Sequence, residues 1–328
     1  MKAIVRIKGG ANLAAMQLQE LPSPEPQPTQ IKIRMAAARI NPVDVDLMKG
    51  MPFLKYQAPQ IGGIDGSGQV VEVGSAVTDW KEGDQVFFYR RFTDIGTWAE
   101  EICIDAADVA RIPSSLSLEQ AGAISLPLLT AYESLQQLQA QVGEKILIHG
   151  AGGGVGFQAV QLALAKGLKV YANAGPNDLE VLNALGVEGA FNYKAEDFAS
   201  ELSPGEIDYV FDVIGKETLM KSIRLASKRV VSVAYVEPAL MSKTGIRLPG
   251  MLKWLMRISM GKYRRAARRA GVELLAQVTG ANGKLLAEAA SVVSDQDYQL
   301  RPYQEISLEE INANGFGDRP VGKVILLN

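Results

Sequence analysis

The sequence predicts an α/β protein of two domains, one a barrel-like β domain and the other a doubly wound parallel sheet, and three observations lead there. The chain has 328 residues, and at roughly 150 residues per domain that length suggests two cores. Its texture changes near Leu118, from short strands and turns to alternating strands and helices. Between residues 145 and 166 an apolar strand runs through a cluster of glycines directly into a helix, the order expected of a parallel sheet with crossover helices.

The first third alternates apolar and polar residues in KAIVRI, IKIRMAAARI, GQVVEVG and QVFFY, with Gly, Pro and Asp between them. This is the pattern of half-buried strands. The run Pro22, Pro24, Pro26 and Pro28 reads as a joint between two strands of one sheet, because only short segments precede it. From Leu118, EQAGAISLPLLTAYESLQQL follows a helical period. Strands are then expected at 145–149, 169–172, 207–213 and 229–234, with helices at 154–166 and 178–185 and another strand in GVELLAQV. Residues 209–213 are apolar apart from Asp212, as in a strand covered on both faces. The last segment, from a helix near Leu285 to VGKVILLN, is too short to fold alone, so it is expected to return to the first domain.

Composition excludes several classes. With 47% apolar and 21% charged residues the chain is neither disordered nor fibrous. Lys and Arg number 34 against 36 Asp and Glu, and the net charge of −2 offers nucleic acid no chain-wide attraction. Cys103 and His149 are single in their types, so no disulfide forms within the chain and no zinc site of the Cys/His kind can be assembled. No metal ligand is assigned. Arg6 and Lys8 interrupt the apolar heart that a secretory signal needs, and a cytoplasmic location is expected. Residues 146–165 carry no Asp, Glu, Lys or Arg, but His149, Gln158, Gln161 and the glycines suit a turn better than lipid.

The strongest signal is ILIHGAGGGVG followed by FQAVQLALAKG. Gly150, Gly152, Gly153, Gly154 and Gly156 permit a tight turn and let main-chain amides approach a pyrophosphate, while the helix amino terminus favours negative charge. The strand LKVYANA comes next, on schedule, so a dinucleotide site is expected here. Where an acid would hold the ribose 2′-hydroxyl of NAD, the chain has Asn173, Ala174, Gly175, Pro176 and Asn177. An uncharged strand end leaves room for a 2′-phosphate, with Asn173, Asn177, Tyr193 and Lys194 as candidate partners. Asp178 reads as a helix cap. NADPH is favoured over NADH.

With these residues in hand, the chain resembles the zinc-independent, zeta-crystallin-like quinone oxidoreductase branch of the medium-chain dehydrogenase/reductase superfamily. The landmarks are ARINPVD at 38–44, IGGIDGSGQVVEVG at 61–74, EGDQV at 82–86, GTWAEE at 96–101, LPLLTAYESL at 126–135, GAGGGVG at 150–156 and VGKVILL at 321–327. The resemblance implies a GroES-like β-barrel catalytic domain over 1–124, an inserted Rossmann domain over 125–279, and a return to the catalytic domain over 280–328. It places the active site in the cleft between them. It also implies that Asn41 and Thr130 border the nicotinamide, that Gly153, Gly154 and Val155 meet the pyrophosphate, and that Asn173, Asn177 and Tyr193 meet the adenosine phosphate.

Zinc-dependent relatives carry a Cys where Asn41 stands, a His–Glu pair where Ile64 and Asp65 stand, and another Cys near Leu126. The Cys and His ligands are absent here. The expected activity is hydride transfer from NADPH to a quinone or to the β-carbon of an α,β-unsaturated carbonyl, in a homodimer, as relatives commonly are. Many relatives have a tyrosine where this chain has Asp46, which leaves open a second reading, a nucleotide-binding structural or regulatory protein of the same fold with little turnover.

Several residues have plainer readings. Asn41 before Pro42 is a turn-former by local chemistry, and Asp44 a structural acceptor. Lys55, Tyr56 and Tyr132 have the chemistry of proton donors, but no proton donor is assigned. His149 reads as a satisfied core imidazole and Cys103 as a small apolar filler. Residues 243–269 hold nine Lys and Arg and no acid. They are expected to form a solvated helix face bordering the cofactor site, with a lid or a peripheral contact to an anionic membrane as the alternatives.

Overall fold

The computed structural model describes residues 1–6, 16–50, 59–294, 298–314, 316, 321–322 and 324–327. In chain order the first part holds β1 (Lys2–Arg6), β2 (Met16–Glu20), β3 (Gln30–Arg39), α1 (Pro42–Lys49), β4 (Gln60–Ile61), β5 (Asp65–Val73), β6 (Gln85–Tyr89), β7 (Glu101–Asp105) and β8 (Val109–Arg111). Next come α2 (Leu118–Leu138), β9 (Lys145–His149), α3 (Gly154–Ala165), β10 (Lys169–Ala174), α4 (Leu179–Ala184), β11 (Gly189–Asn192), α5 (Phe198–Glu201), β12 (Ile207–Asp212), α6 (Lys216–Leu225) and β13 (Ala226–Ser232). The remainder is α7 (Gly250–Ser259), α8 (Gly261–Ala270), β14 (Glu273–Ala276), α9 (Gly283–Ser294), β15 (Glu305–Ser307), α10 (Leu308–Asn314) and β16 (Val324–Leu326).

The parallel sheet runs β11-β10-β9-β12-β13-β14, with Leu147 of β9 beside Tyr171 on one side and Val210 on the other. Numbered within the domain this is the order 3-2-1-4-5-6, so the direction of winding reverses between β9 and β12. Ligands of such sheets bind outside the carboxyl ends at that point. The strands carry the apolar runs ILI and VF at their centres, buried on both faces as expected for a parallel sheet.

The second sheet, antiparallel except for the parallel pair β15-β16, runs β15-β16-β3-β5-β6-β8, with β7 also on β3. β16 pairs with β3, Ile325 opposite Ala38, so the end of the chain closes the core that its beginning opens. Residue 124, the expected domain boundary, falls inside α2. This helix starts at a Ser117/Gln120 capping box and packs against β3, β5 and β6 as well as α3 and β13, serving both cores.

His149 lies fully buried at the end of β9. Asn173 Nδ2 donates to its Nδ1 over 3.0 Å, so the ring proton sits on Nε2 and is donated to Ser222 Oγ at 2.8 Å, which in turn donates to the Thr218 carbonyl. Burial lowers its pKa from 6.5 to about 4, against the opposing pull of Asp212. The ring of this sole histidine is therefore expected to titrate near pH 4 by NMR. The unfolded chain binds the proton more readily, so the contribution of His149 to stability should fall as pH drops from 6.5 towards 4. Titration near the ordinary histidine value would overturn this assignment.

Candidate active site

The glycine-rich turn is built by close approach. Gly150 holds φ at 64°, and a Cβ on Gly156 would lie 2.1 Å from the Gly150 carbonyl oxygen, so a side chain there would break the turn. Gly153 N donates back to Gly150 O at 2.8 Å and caps α3. The first turn of α3, from Gly154 through Val155 to Gly156, presents amides with no acceptor inside the helix.

A cation from the other domain reaches the same place. α2 carries Pro127 in its interior; a proline has no N–H, so the carbonyl four residues earlier loses its helical donor. That carbonyl belongs to Ala123, and Arg39 Nη1, from the end of β3, donates to it at 2.6 Å. The guanidinium's Nη2 stands 3.0 Å from where a Cβ on Gly154 would be. Burial pulls the Arg39 pKa below its usual value, as does nearby Arg301, while Asp65 and Asp44 oppose the shift. The groove beside this turn has a volume of about 540 Å³ and is lined by Arg39, Gly152, Gly153, Gly154, Gln158 and Arg301 among others.

Behind Arg39 lie two buried carboxylates. Asn41 Nδ2 donates to Asp65 Oδ1 at 2.7 Å, and Leu126 N donates to Asp65 Oδ2 at 3.1 Å. Asp44 Oδ2 accepts from Asn41 N at 2.7 Å, with Asn41 at the N-cap of α1 and Pro42 at its first position. Burial raises the Asp65 pKa from 3.8 to about 7 in spite of these donors and Arg39, and burial together with Asp65 raises that of Asp44.

Two further hollows open at strand ends. One, about 390 Å³, is lined by Gly150, Asn173, Tyr193, Asp197, Glu217 and Lys221 among others. The other, about 300 Å³ and mostly apolar, includes Val43, Leu126, Thr130, Val233, Met241 and Thr279. Gln277 Nε2 donates to Glu133 Oε2 at 2.6 Å and to Thr279 Oγ1 at 3.1 Å. Thr279 Oγ1 also shares a hydrogen bond of 3.0 Å with Thr130 Oγ1, in which either hydroxyl can donate.

The sequence-predicted residues divide accordingly. Gly152, Gly153 and Gly154 line the groove, Asn173 and Tyr193 the larger hollow, and Thr130 the apolar cavity. Val155 is the second residue of α3, and Asn41 is buried with its amide committed to Asp65. Asn177 and Lys194 are exposed on the adjoining turns and line neither hollow. Asp178 does not cap α4; it lies against Gly152 and pairs with Arg301 Nη2 at 2.8 Å, a cation 123 residues distant in sequence. Asp46 is exposed on α1, Tyr132 is half-buried on α2, and Lys55 and Tyr56 lie outside the described residues.

Residues 27–114 match the family described as Alcohol dehydrogenase GroES-like domain, and residues 154–261 that described as Zinc-binding dehydrogenase. The chain is 32% identical over 235 residues to a quinone oxidoreductase of Mus musculus, covering 69% of this chain and 70% of that protein. It is 34% identical over 229 residues to a 2-methylene-furan-3-one reductase of Solanum lycopersicum, covering 66% of this chain and 58% of that one, so it spans less than two thirds of some relatives it matches. Among solved structures, the quinone oxidoreductase from Coxiella burnetii superposes with a TM-score of 0.82 at 28% identity, covering 100% of this chain and 99% of that chain. The chain belongs to the quinone oxidoreductase branch of the medium-chain dehydrogenase/reductase superfamily.

Membership in this superfamily implies a nicotinamide cofactor, and the described residues fit one. Asn173 Oδ1 and Gln158 Oε1 are buried acceptors without a partner among the described residues, and each belongs to a residue lining a hollow at the glycine turn. The site residues that sequence reasoning missed are Arg39, Asp65, Gln158, Thr279 and Arg301. A proline inside a helical period was the one signal that a cation was wanted nearby.

Arg39→Met should cost about 3–5 kcal/mol in denaturant unfolding, because it strands the Ala123 carbonyl and removes the countercharge from Asp65. Folded Asp65 binds its proton more tightly than the unfolded chain does, so its contribution to stability declines as pH rises from 3.8 towards 7. Asp65→Asn, which cannot titrate, should show a shallower decline over that window; an unchanged slope would refute the shift.

Proposed function

We propose that this chain is a zinc-independent, NADPH-dependent reductase of quinones or α,β-unsaturated carbonyls, acting as a cytoplasmic homodimer. The observation that carries the reading is the meeting of Arg39 with the glycine turn, with an apolar cavity lined by Thr130 on the other side of α2's proline. The names of the two relatives, a quinone reductase and a reductase of an unsaturated ketone, support the acceptor class.

The bound cofactor supplies the hydride. The residues do the rest. Arg39 and the first amides of α3 hold the diphosphate's charge. Asn173 Oδ1 and Gln158 Oε1 accept from the cofactor's donors, which orients it. Thr130 donates to the acceptor's oxygen as negative charge develops on it, and the apolar wall of Val43, Leu126 and Val233 keeps water out.

A zinc ion of the Cys/His kind does not fit. Cys103 is on β7 and His149 at the end of β9, in different sheets, and neither lines the apolar cavity. Asp65 and Asp44 are already engaged by Asn41, Leu126 and Arg39.

Arg301 supports the NADPH preference. It neutralises Asp178, the carboxylate nearest Gly152, and brings a guanidinium to the end of β10 near Gly175. Reduced cofactor should be oxidised, by absorbance, in the presence of some quinone, enone or alkenal, with NADPH preferred. Arg301→Gln should weaken NADPH by roughly tenfold relative to NADH, and Thr130→Val should lower kcat by roughly tenfold with NADPH affinity retained. Binding of NADPH without oxidation by any acceptor would favour a structural or regulatory protein. Failure to bind either reduced nucleotide would overturn the cofactor site itself.

A further inference from the structure

Helix α7 is unlike every other long helix among the described residues, because it buries no side chain. Met251, Trp254, Leu255 and Ile258 are 77%, 61%, 48% and 56% exposed. They stand at i, i+3, i+4 and i+7 and form one continuous stripe. Half of the eight exposed large apolar residues among the described residues therefore lie on one face of a ten-residue helix. Scattered exposed apolar residues need no explanation, but an aligned set marks a docking face.

The helix beyond the stripe is cationic. α8 continues from α7 after Met260 and packs on it and on α6. It buries Tyr263 and Ala267, so Arg265, Arg268 and Arg269 project on the opposite side, while the Lys262 ammonium lies 4.9 Å from the centre of the Tyr263 ring. Arg257 and Arg264 both approach Glu237, whereas Lys253, Lys262, Arg265, Arg268 and Arg269 have no carboxylate partner among the described residues. Residues 243–269 contribute nine positive charges to a chain whose net charge is −2. The rest of the chain is thus net acidic, and the positive charge is concentrated in the segment that carries the apolar stripe.

We propose that α7 and α8 form a docking face for a bilayer rich in anionic phospholipid: the α7 stripe enters the headgroup boundary and the α8 cations engage the phosphates. An apolar stripe flanked by Lys and Arg is complementary to that interface in both respects. A second copy of this chain is a poorer fit, since two such faces would bring their unpaired cations together. The attachment is peripheral, since no helix among the described residues is long and apolar enough to cross a membrane.

The test is flotation of the full chain with vesicles of phosphatidylcholine, with and without phosphatidylserine. Binding is expected only with phosphatidylserine, with a blue shift of Trp254 emission and loss at high salt. Trp254→Ser with Leu255→Ser should abolish the binding, and Arg268→Gln with Arg269→Gln should weaken it by roughly fivefold per charge. The substituted positions are exposed, so circular dichroism and thermal unfolding should be unchanged. No binding to phosphatidylserine vesicles would overturn the proposal, as would binding indifferent to the apolar pair. If the apolar pair instead lowers the mass of a self-associated species while vesicles are ignored, the face joins copies of the chain and the proposal fails.

Discussion

Much of the structure depends on one hydrogen bond, from Arg39 to the carbonyl of Ala123. Pro127 creates the need for it by removing the donor that the carbonyl would otherwise have. A neutral donor would satisfy that carbonyl, but only a long cation from β3 can do so and also reach Gly154. The same guanidinium balances Asp65 and Asp44. One side chain thus ties the barrel's ten-residue strand to the helix shared by both cores and to the glycine turn of the parallel sheet. A hydrogen bond from a charged donor contributes about 1.5–3 kcal/mol net, and here its loss would also leave buried carboxylates uncompensated.

Charge is graded along the groove beside the glycine turn. At the glycine turn Arg39 and Arg301 face each other's repulsion, which a diphosphate would relieve. At the neighbouring hollow the lining includes Glu196, Asp197 and Glu217, and its lysine, Lys221, is held by Asp197 at 2.7 Å and Glu217 at 3.9 Å. An adenine ring tolerates such a setting, whereas a phosphate does not. Any 2′-phosphate is therefore directed away from that hollow and towards Gly175, where Arg301 offsets Asp178.

The parts of this molecule legible in its sequence are those set by local pattern. The strand, glycine turn and helix at 145–165 could be read because each has its own period and its own punctuation. Thr130 and Asn41 came only through resemblance, since nothing local separates Thr130 from a core helix residue. Arg39 and Arg301 were not legible, because their partners, Ala123 and Asp178, are 84 and 123 residues away. Asp178 was misread for the same reason: a carboxylate beside a helix start suggests a cap, and only the return of the chain reveals the arginine that claims it. The helix α2 hid the boundary between domains because one hydrogen-bonded rod supplies both cores, with no change of composition at residue 124.

The basic segment links the two proposals physically. Met241 and Thr244, near its start, line the apolar cavity, and Thr244 O accepts from Phe92 N of the barrel, so the stretch is anchored where the acceptor would sit. From there the chain proceeds into α7, whose apolar stripe no part of the described fold requires. Burying such a side chain contributes about 1.5–3 kcal/mol, and the helix is already formed, so little ordering cost offsets the gain on meeting lipid. A cavity wall and a lipid-facing helix close together in the chain would give a lipophilic electron acceptor a short path between bilayer and cofactor, whereas a water-soluble acceptor would draw no benefit from the arrangement.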